Sequence, residues 1–258
     1  MLIAGLDEVG MGAIAGPVCV CIVVFEDRKI MENLADSKKL TEKKRAQLFK
    51  EIEKEALEYA IGWADVDEIE ERNIFYARDL AAKRAFEKLH NIPDRIYTDG
   101  NHLIDLGADV KQEAVVKGDN LIWQISAASI LAKVTRDVYM VQLCKTTNHI
   151  YDWEHNKGYY SPKHNEGMLE HGVSDYHRKH FFYVGNILYK TGEISRSQFE
   201  KKYSRNLRKR TNKKKKKNGS KARPAKTYNS NHVYKVSPCN HKKNHPNKHN
   251  KKHNGSSH

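Results

Sequence analysis

Three short blocks of this sequence place carboxylates where the chain is expected to turn. In Gly5-Leu-Asp-Glu-Val-Gly-Met-Gly12, the adjacent acids Asp7 and Glu8 end an apolar run and enter a glycine-rich turn. Thr98-Asp-Gly-Asn101 puts Asp99 at the end of a second apolar run, and Lys117-Gly-Asp-Asn120 puts Asp119 just ahead of the small-residue stretch SAASILAK. Each block alone has a plain reading: an acidic hairpin turn, a DG turn, a solvated loop acid. Together, Asp7, Glu8, Asp99 and Asp119 are the hard oxygen ligands that Mg²⁺ or Mn²⁺ prefers. Two such ions about 4 Å apart stabilise both the attacking and the leaving oxygen of a phosphoryl displacement. Acids alone would repel a phosphate backbone, so the cations tie the carboxylates to such a substrate. Neighbouring strand residues face opposite ways, so Asp7 and Glu8 converge only if their strand twists or ends there. Gly10 and Gly12 supply backbone that lets a ligand come close.

The elements that must carry these acids alternate between strands and helices. Pro17–Phe25 is β-branched and apolar, a buried strand expected to pair with Leu2–Leu6. Thr41 is a cap for a helix through Glu58, where Leu48, Ile52, Glu55 and Leu57 leave an apolar stripe. Tyr59–Ala64 reads as a strand. Asp67 opens one long helix through about His90, with Ile69, Ile74, Ala81, Ala85 and Leu89 at helical spacing and Pro93 beyond it. Arg95–Thr98 and Glu113–Val116 read as short strands, and Ile125–Leu143 as a helix whose first half is small enough to pack tightly on a sheet. Strands first and βαβ units after predict an α/β fold with a mixed sheet.

Charge divides the 258 residues unevenly. The net charge is +14, yet Lys201–His258 holds 20 Lys+Arg and no acid, leaving 26 bases against 32 acids, or −6, in the first 200 residues. A mildly acidic body with a strongly basic appendix points to an acidic polymer as partner, nucleic acid above all. Residues 205–258 run through RKRTNKKKKKNGSKARP and a Lys/Asn/His-rich end too polar to fold, so they are expected to be a disordered basic tail behind a domain at 1–204. The Cys239-x-His241 spacing and the histidines after it read as composition rather than a metal site. No run of about 18 apolar residues exists, so no membrane span is expected. MLIAGLDEVG lacks the basic region and cleavage site of a secretory leader. Four cysteines without CxxC spacing suit a reducing, cytoplasmic setting.

GLDEVGMGAIAGPV, DSKKL, TDGN, KGDNLIWQISAASILAKVTRD, HNKGYYSPKH and HGVSDYHRKHFF occur in that order over about residues 2–190. This series resembles type 2 ribonuclease H, the ribonuclease HII family. The resemblance implies a ribonuclease-H-like mixed β-sheet flanked by helices. It implies a two-cation endonuclease that cleaves RNA in RNA/DNA hybrids and at ribonucleotides embedded in duplex DNA, leaving 5′-phosphate and 3′-hydroxyl ends. It makes Asp7, Glu8, Asp99 and Asp119 the catalytic metal ligands, and Gly10, Met11, Gly12, Ser37, Lys38 and Tyr159 the substrate contacts. Tyr159 matches the tyrosine that reads the ribose at the RNA–DNA junction, in line with the 2′-OH being what separates RNA from DNA. Asp137 is read as a helix residue paired with Arg136 or a neighbouring strand. The family turn usually reads Gly-Arg-Gly, whereas here it is Gly10-Met11-Gly12. Type 3 enzymes, which favour longer hybrids, also lack that arginine, so a type 3-like activity is one alternative and a degenerate nuclease that only binds nucleic acid is another. A monomer is expected.

Overall fold

The computed structural model describes residues 1–31, 34, 40–107, 110–204 and 206–207. In chain order its elements are β1 (Leu2–Val9), β2 (Val18–Glu26), α1 (Glu42–Glu55), β3 (Glu58–Ala64), α2 (Val66–Glu71), α3 (Ile74–Phe86), β4 (Arg95–Asp99), β5 (Lys111–Val115), α4 (Gly118–Leu121), α5 (Trp123–Thr146), α6 (Trp153–Asn156), α7 (Pro162–His171) and α8 (Phe182–Lys190). They lie in one unit, Met1–Lys213. Among the described residues no helix is long and apolar enough to cross a membrane.

The strands form one mixed sheet in the order β3-β2-β1-β4-β5. β1 pairs antiparallel with β2, β2 antiparallel with β3, and β1 and β5 each run parallel to β4. β2 is apolar without interruption because both of its faces are covered. Val18, Val20, Ile22 and Val24 join Ala77, Ala81, Ala82 and Ala85 of α3 on one side. Cys19, Cys21, Val23 and Phe25 join Leu48 and Ile52 of α1 and the first half of α5 on the other. The small residues of α5 let that helix lie directly on β1: a Cβ added at Gly5 would stand 2.0 Å from the backbone oxygen of Gln124.

The expected pairing of the first two strands is present; it is antiparallel and extends through Val9. The single long helix from Asp67 to His90 is not present. One side chain, Asn73, interrupts it by offering the backbone local hydrogen bonds, and the start shifts to Asp65. Asp65 closes a capping box with Glu68 that starts α2, and Asn73 accepts from the N–H groups of Phe75 and Tyr76 to start α3. The helix capped by Thr41 ends at Glu55 rather than Glu58, because the Leu57 N–H donates to Val24 and the chain joins the sheet.

Candidate active site

Parallel pairing sets the position of the first acids. The β1–β4 ladder ends at Leu6 opposite Thr98, so Asp7 and Asp99 follow side by side at the carboxyl ends of adjacent parallel strands. That end of an open α/β sheet is where ligands bind. Of the two ways for Asp7 and Glu8 to converge, a strand that ends there or one that twists, β1 does not take the first. It continues along β2 to Val9 while β4 stops, leaving its β4 edge open. Asp7 and Glu8 therefore face one cavity of about 490 Å³, together with Val9, Gly10, Met11, Gly12, Asp99, Ser129, Lys133 and Tyr159.

Asp7 is 6 % exposed. Burial first, then the charges of Glu8 and Asp99, push its carboxyl well above the usual carboxylate range, opposed by hydrogen bonds from the Ser129 side chain and the Glu8 N–H. The latter bond is 2.8 Å. The N–H of Gly118 donates to Asp99 Oδ1 at 2.8 Å, docking the start of α4 onto the strand end. Asp119 is thus helical rather than a loop acid, and it is buried. Its side chain accepts from Asn120 at 2.8 Å and its carbonyl from Ser126 at 2.5 Å. It follows Gly118, whose N–H bonds Asp99, but is not among the cavity-lining residues. Lys133 is the one cationic lining residue, so three carboxylates face a single ammonium. Hard oxygen donors in excess of positive charge fit a divalent cation.

Two buried arginines hold the glycine turn. Arg178 donates to the carbonyls of Gly10 at 2.7 Å, Ala13 at 2.8 Å and Gly16 at 2.9 Å. Arg136 donates to Pro17 at 2.9 Å, Ala15 at 3.1 Å and Lys157 at 2.8 Å. The N–H groups of Ile14 and Ala15 meet Gly158 O, which ties the turn to the segment carrying Tyr159. Burial and the neighbouring Arg136 lower Arg178 to about 9. Gly10 has φ 94°, a conformation that favours glycine. Gly12 has no such φ; a Cβ there would meet nothing within 4 Å, so its contribution is open space beside the cavity. Met11 is half-buried and packs against the core on the α3 side of the sheet.

Tyr159 has Lys133 Nζ 5.6 Å and Arg136 Cζ 5.5 Å from its ring centroid, within cation–π reach. Its carbonyl lies 2.8 Å from His164 Nδ1. That bond assigns the proton to Nδ1 and leaves Nε2 to accept from Trp153 Nε1 and His177 Nε2, both at 3.0 Å. The Ser174 N–H and hydroxyl then satisfy His177 Nδ1. Burial lowers His164 to about 4 and His177 to about 3, so both rings stay neutral.

Asp137 pairs with Lys133 at 2.7 Å, not with Arg136, whose guanidinium is taken up by carbonyls. Ser37 and Lys38 lie outside the described residues. Ser129, Lys133, Arg136 and Arg178 were missed as site residues. The first three had a signal, since positions 129, 133 and 136 share a face of an α-helix. Arg178 had none, because its role depends on a turn some 160 positions away.

A sequence profile described as Ribonuclease HII matches residues 4–184. Similar curated proteins include a ribonuclease HII of Pelagibacter ubique, 43 % identical over 72 % of this chain and 99 % of that protein. Another, from a Ruegeria species, is 46 % identical over 72 % of this chain and 80 % of its own length. Among solved structures, ribonuclease H2 from Pyrococcus horikoshii aligns with a TM-score of 0.67 at 25 % identity, covering 75 % of this chain and all of that one.

Proposed function

The chain belongs to the ribonuclease HII family, and we propose that Asp7, Glu8, Asp99 and Asp119 are its catalytic acids and hold two divalent cations, Mg²⁺ or Mn²⁺. Membership makes it a hydrolase, a metal-dependent ribonuclease H acting on the RNA of RNA/DNA hybrids. The finer reading extends this to single ribonucleotides embedded in duplex DNA and to 5′-phosphate and 3′-hydroxyl products. One observation carries it: three carboxylates, a tyrosine and an open glycine turn share one cavity containing a single lysine.

When bound, the cations activate water and neutralise the oxygens at phosphorus. The remaining work falls to side chains and backbone. The Glu8 N–H fixes one oxygen of Asp7, and the Gly118 N–H fixes one oxygen of Asp99. Each carboxylate is thereby oriented before substrate arrives, which spares reorganisation during the reaction. Gly10, Met11 and Gly12 present backbone to the ribose, with the carbonyls of Gly10 and Met11 turned inward onto Arg178, and Tyr159 offers its ring and hydroxyl opposite. Water attacks phosphorus in line, and the 3′ oxygen leaves with the upstream fragment. Lys133 offsets charge at the cavity wall. Ser37 and Lys38 remain proposed phosphate contacts.

Residues 1–204 are assigned as the catalytic domain and 205–258 as a basic nucleic-acid arm. Asp7, Glu8, Asp99 and Tyr159 line the cavity from one chain, which supports a monomer, and three buried free cysteines support a reducing, cytoplasmic setting. The test incubates the protein with a duplex carrying one ribonucleotide and, separately, with a long hybrid, in Mg²⁺ and in Mn²⁺. Cleavage of both, with 3′-hydroxyl ends, is expected. Cleavage of the long hybrid alone would leave the type 3-like reading, and cleavage of neither would leave a binding protein.

A further inference from the structure

Away from the carboxylate cavity, the end of α5 and the segment after it bring three unlike Lewis bases together. Cys144 Sγ, His149 Nδ1 and a Glu154 carboxylate oxygen all lie within 4.8 Å of one another. Sulfur and nitrogen are 3.6 Å apart, and the same nitrogen is 2.5 Å from Glu154 Oε2. Asp152, Glu154 and His155 form an overlapping group. Among the described residues, the ion-pair partners of Glu154 are His149 and His155 only. Lys157 reaches the Glu154 backbone carbonyl and pairs with Glu42 instead.

We propose that Cys144, His149 and Glu154 form a binding site for one divalent cation of the zinc class, with water in the fourth position. A thiolate, a neutral imidazole and a carboxylate carry two negative charges, which one dication balances. Mixed sulfur, nitrogen and oxygen donors suit Zn²⁺, whereas the all-oxygen cavity suits Mg²⁺ or Mn²⁺. With Zn–S near 2.3 Å and Zn–N near 2.0–2.1 Å, tetrahedral geometry sets the two donors about 3.5 Å apart. Cys144 and His149 already stand at that spacing. Glu154 alone must swing outward, and its side chain is 34 % exposed.

Cys144 is buried. A thiol binds a metal as its thiolate, so binding releases the Sγ proton to solvent as the S–metal bond forms. The ion links the last turn of α5 to α6. From α6 the chain passes through Lys157 and Gly158 to Tyr159, so the site braces the segment that presents Tyr159 without entering the cavity.

Cobalt(II) added to the full-length chain is the probe. A thiolate ligand gives Co²⁺ an intense sulfur-to-metal charge-transfer band that carboxylates and imidazoles do not. The band therefore separates this site from the acids of the cavity and from the histidines of residues 205–258. Wild type and Cys239→Ser are expected to develop the band, saturating at one Co²⁺ per chain and bleached by Zn²⁺. Cys144→Ser should abolish it. His149→Gln, at a half-exposed position that does not threaten folding, should weaken Co²⁺ binding by about tenfold or more, the scale of a damaged ligand shell. Both are expected to melt without the Zn²⁺-dependent rise in Tm that wild type shows. No band, a band that survives Cys144→Ser, Co²⁺ binding unchanged in His149→Gln, or a band lost in Cys239→Ser overturns the proposal.

Discussion

At the level of single residues, the acids differ in what surrounds them, and that difference is testable. Asp7 and Asp99 face the cavity and are each aimed by one backbone N–H, whereas Asp137 spends its charge on Lys133 along one helix. Asp7→Asn, Asp99→Asn and Asp119→Asn are each expected to remove most cleavage while the far-ultraviolet circular dichroism stays that of the native protein. Asp137→Asn should retain turnover within several-fold and lose stability instead. Abolished turnover in folded Asp137→Asn, with activity kept in Asp119→Asn, would reassign the fourth acid. Met11 offers a second comparison. Its thioether packs on the core and cannot donate a hydrogen bond, whereas arginine presents a planar fork of donors. Met11→Arg should raise kcat/KM for a single embedded ribonucleotide more than for a long hybrid. A well-formed charge-assisted bond is worth ~1.5–3 kcal/mol, or about tenfold and upward. Equal gains on both substrates would mean general charge attraction. No gain on either would mean that the turn works through its backbone alone.

Between elements, the decisive contacts are close approaches and buried hydrogen bonds. α5 rests on β1 only because Gly5 has no side chain. Gly5→Ala forces a methyl to within 2.0 Å of the Gln124 carbonyl and must push the helix off the strand. A loss of about 1–3 kcal/mol is expected for such overpacking, with cleavage reduced because Ser129 and Lys133 move with the helix. Urea denaturation and kcat measured together check it; unchanged stability would mean that the helix tolerates the shift. The His164–His177 pair joins α6, α7 and the loop at Ser174. Both folded values, about 4 and about 3, lie below the ordinary 6.5, so the unfolded chain binds more protons in between. Stability contributed by the neutral pair is full above pH 6.5 and falls as the pH drops through that window, at up to about 1.4 kcal/mol per pKa unit per ring. The urea midpoint should decline between pH 6.5 and 4, and less steeply in His177→Gln. Parallel pH profiles for the two proteins would show that other groups set the acid limit.

For the whole molecule, the charge asymmetry matters most. Residues 1–200 carry −6 and the remainder +20, so the arm proposed for residues 205–258 is the expected source of long-range attraction to a nucleic acid. Removing residues 205–258 is expected to leave kcat nearly unchanged, raise KM and flatten the salt dependence, since log K falls by about 0.9 per neutralised phosphate on duplex DNA. Identical salt slopes for the two chains would remove the arm from substrate binding.

The sequence by itself determined the elements with strong local signals and marked Asp7, Glu8 and Asp99, the three acids that share one cavity. β2 was legible because a strand covered on both faces is apolar throughout, and α5 because small residues recur at helical spacing. Asp7, Glu8 and Asp99 were legible because each follows an apolar run and enters a glycine-containing turn. What the sequence did not determine are arrangements made by partners far away in the chain. The split between α2 and α3 depends on Asn73 capturing two N–H groups, a choice hidden beneath a continuous helical pattern. The convergence of Asp7 and Glu8 depends on β4 ending while β1 continues along β2. Arg178 holds a turn more than 160 positions ahead of it through bonds to carbonyls. Every residue carries a carbonyl, so nothing in residue type marks which ones an arginine will meet. Only the packing of α5 and the His177–Arg178 segment against the end of β1 decides that.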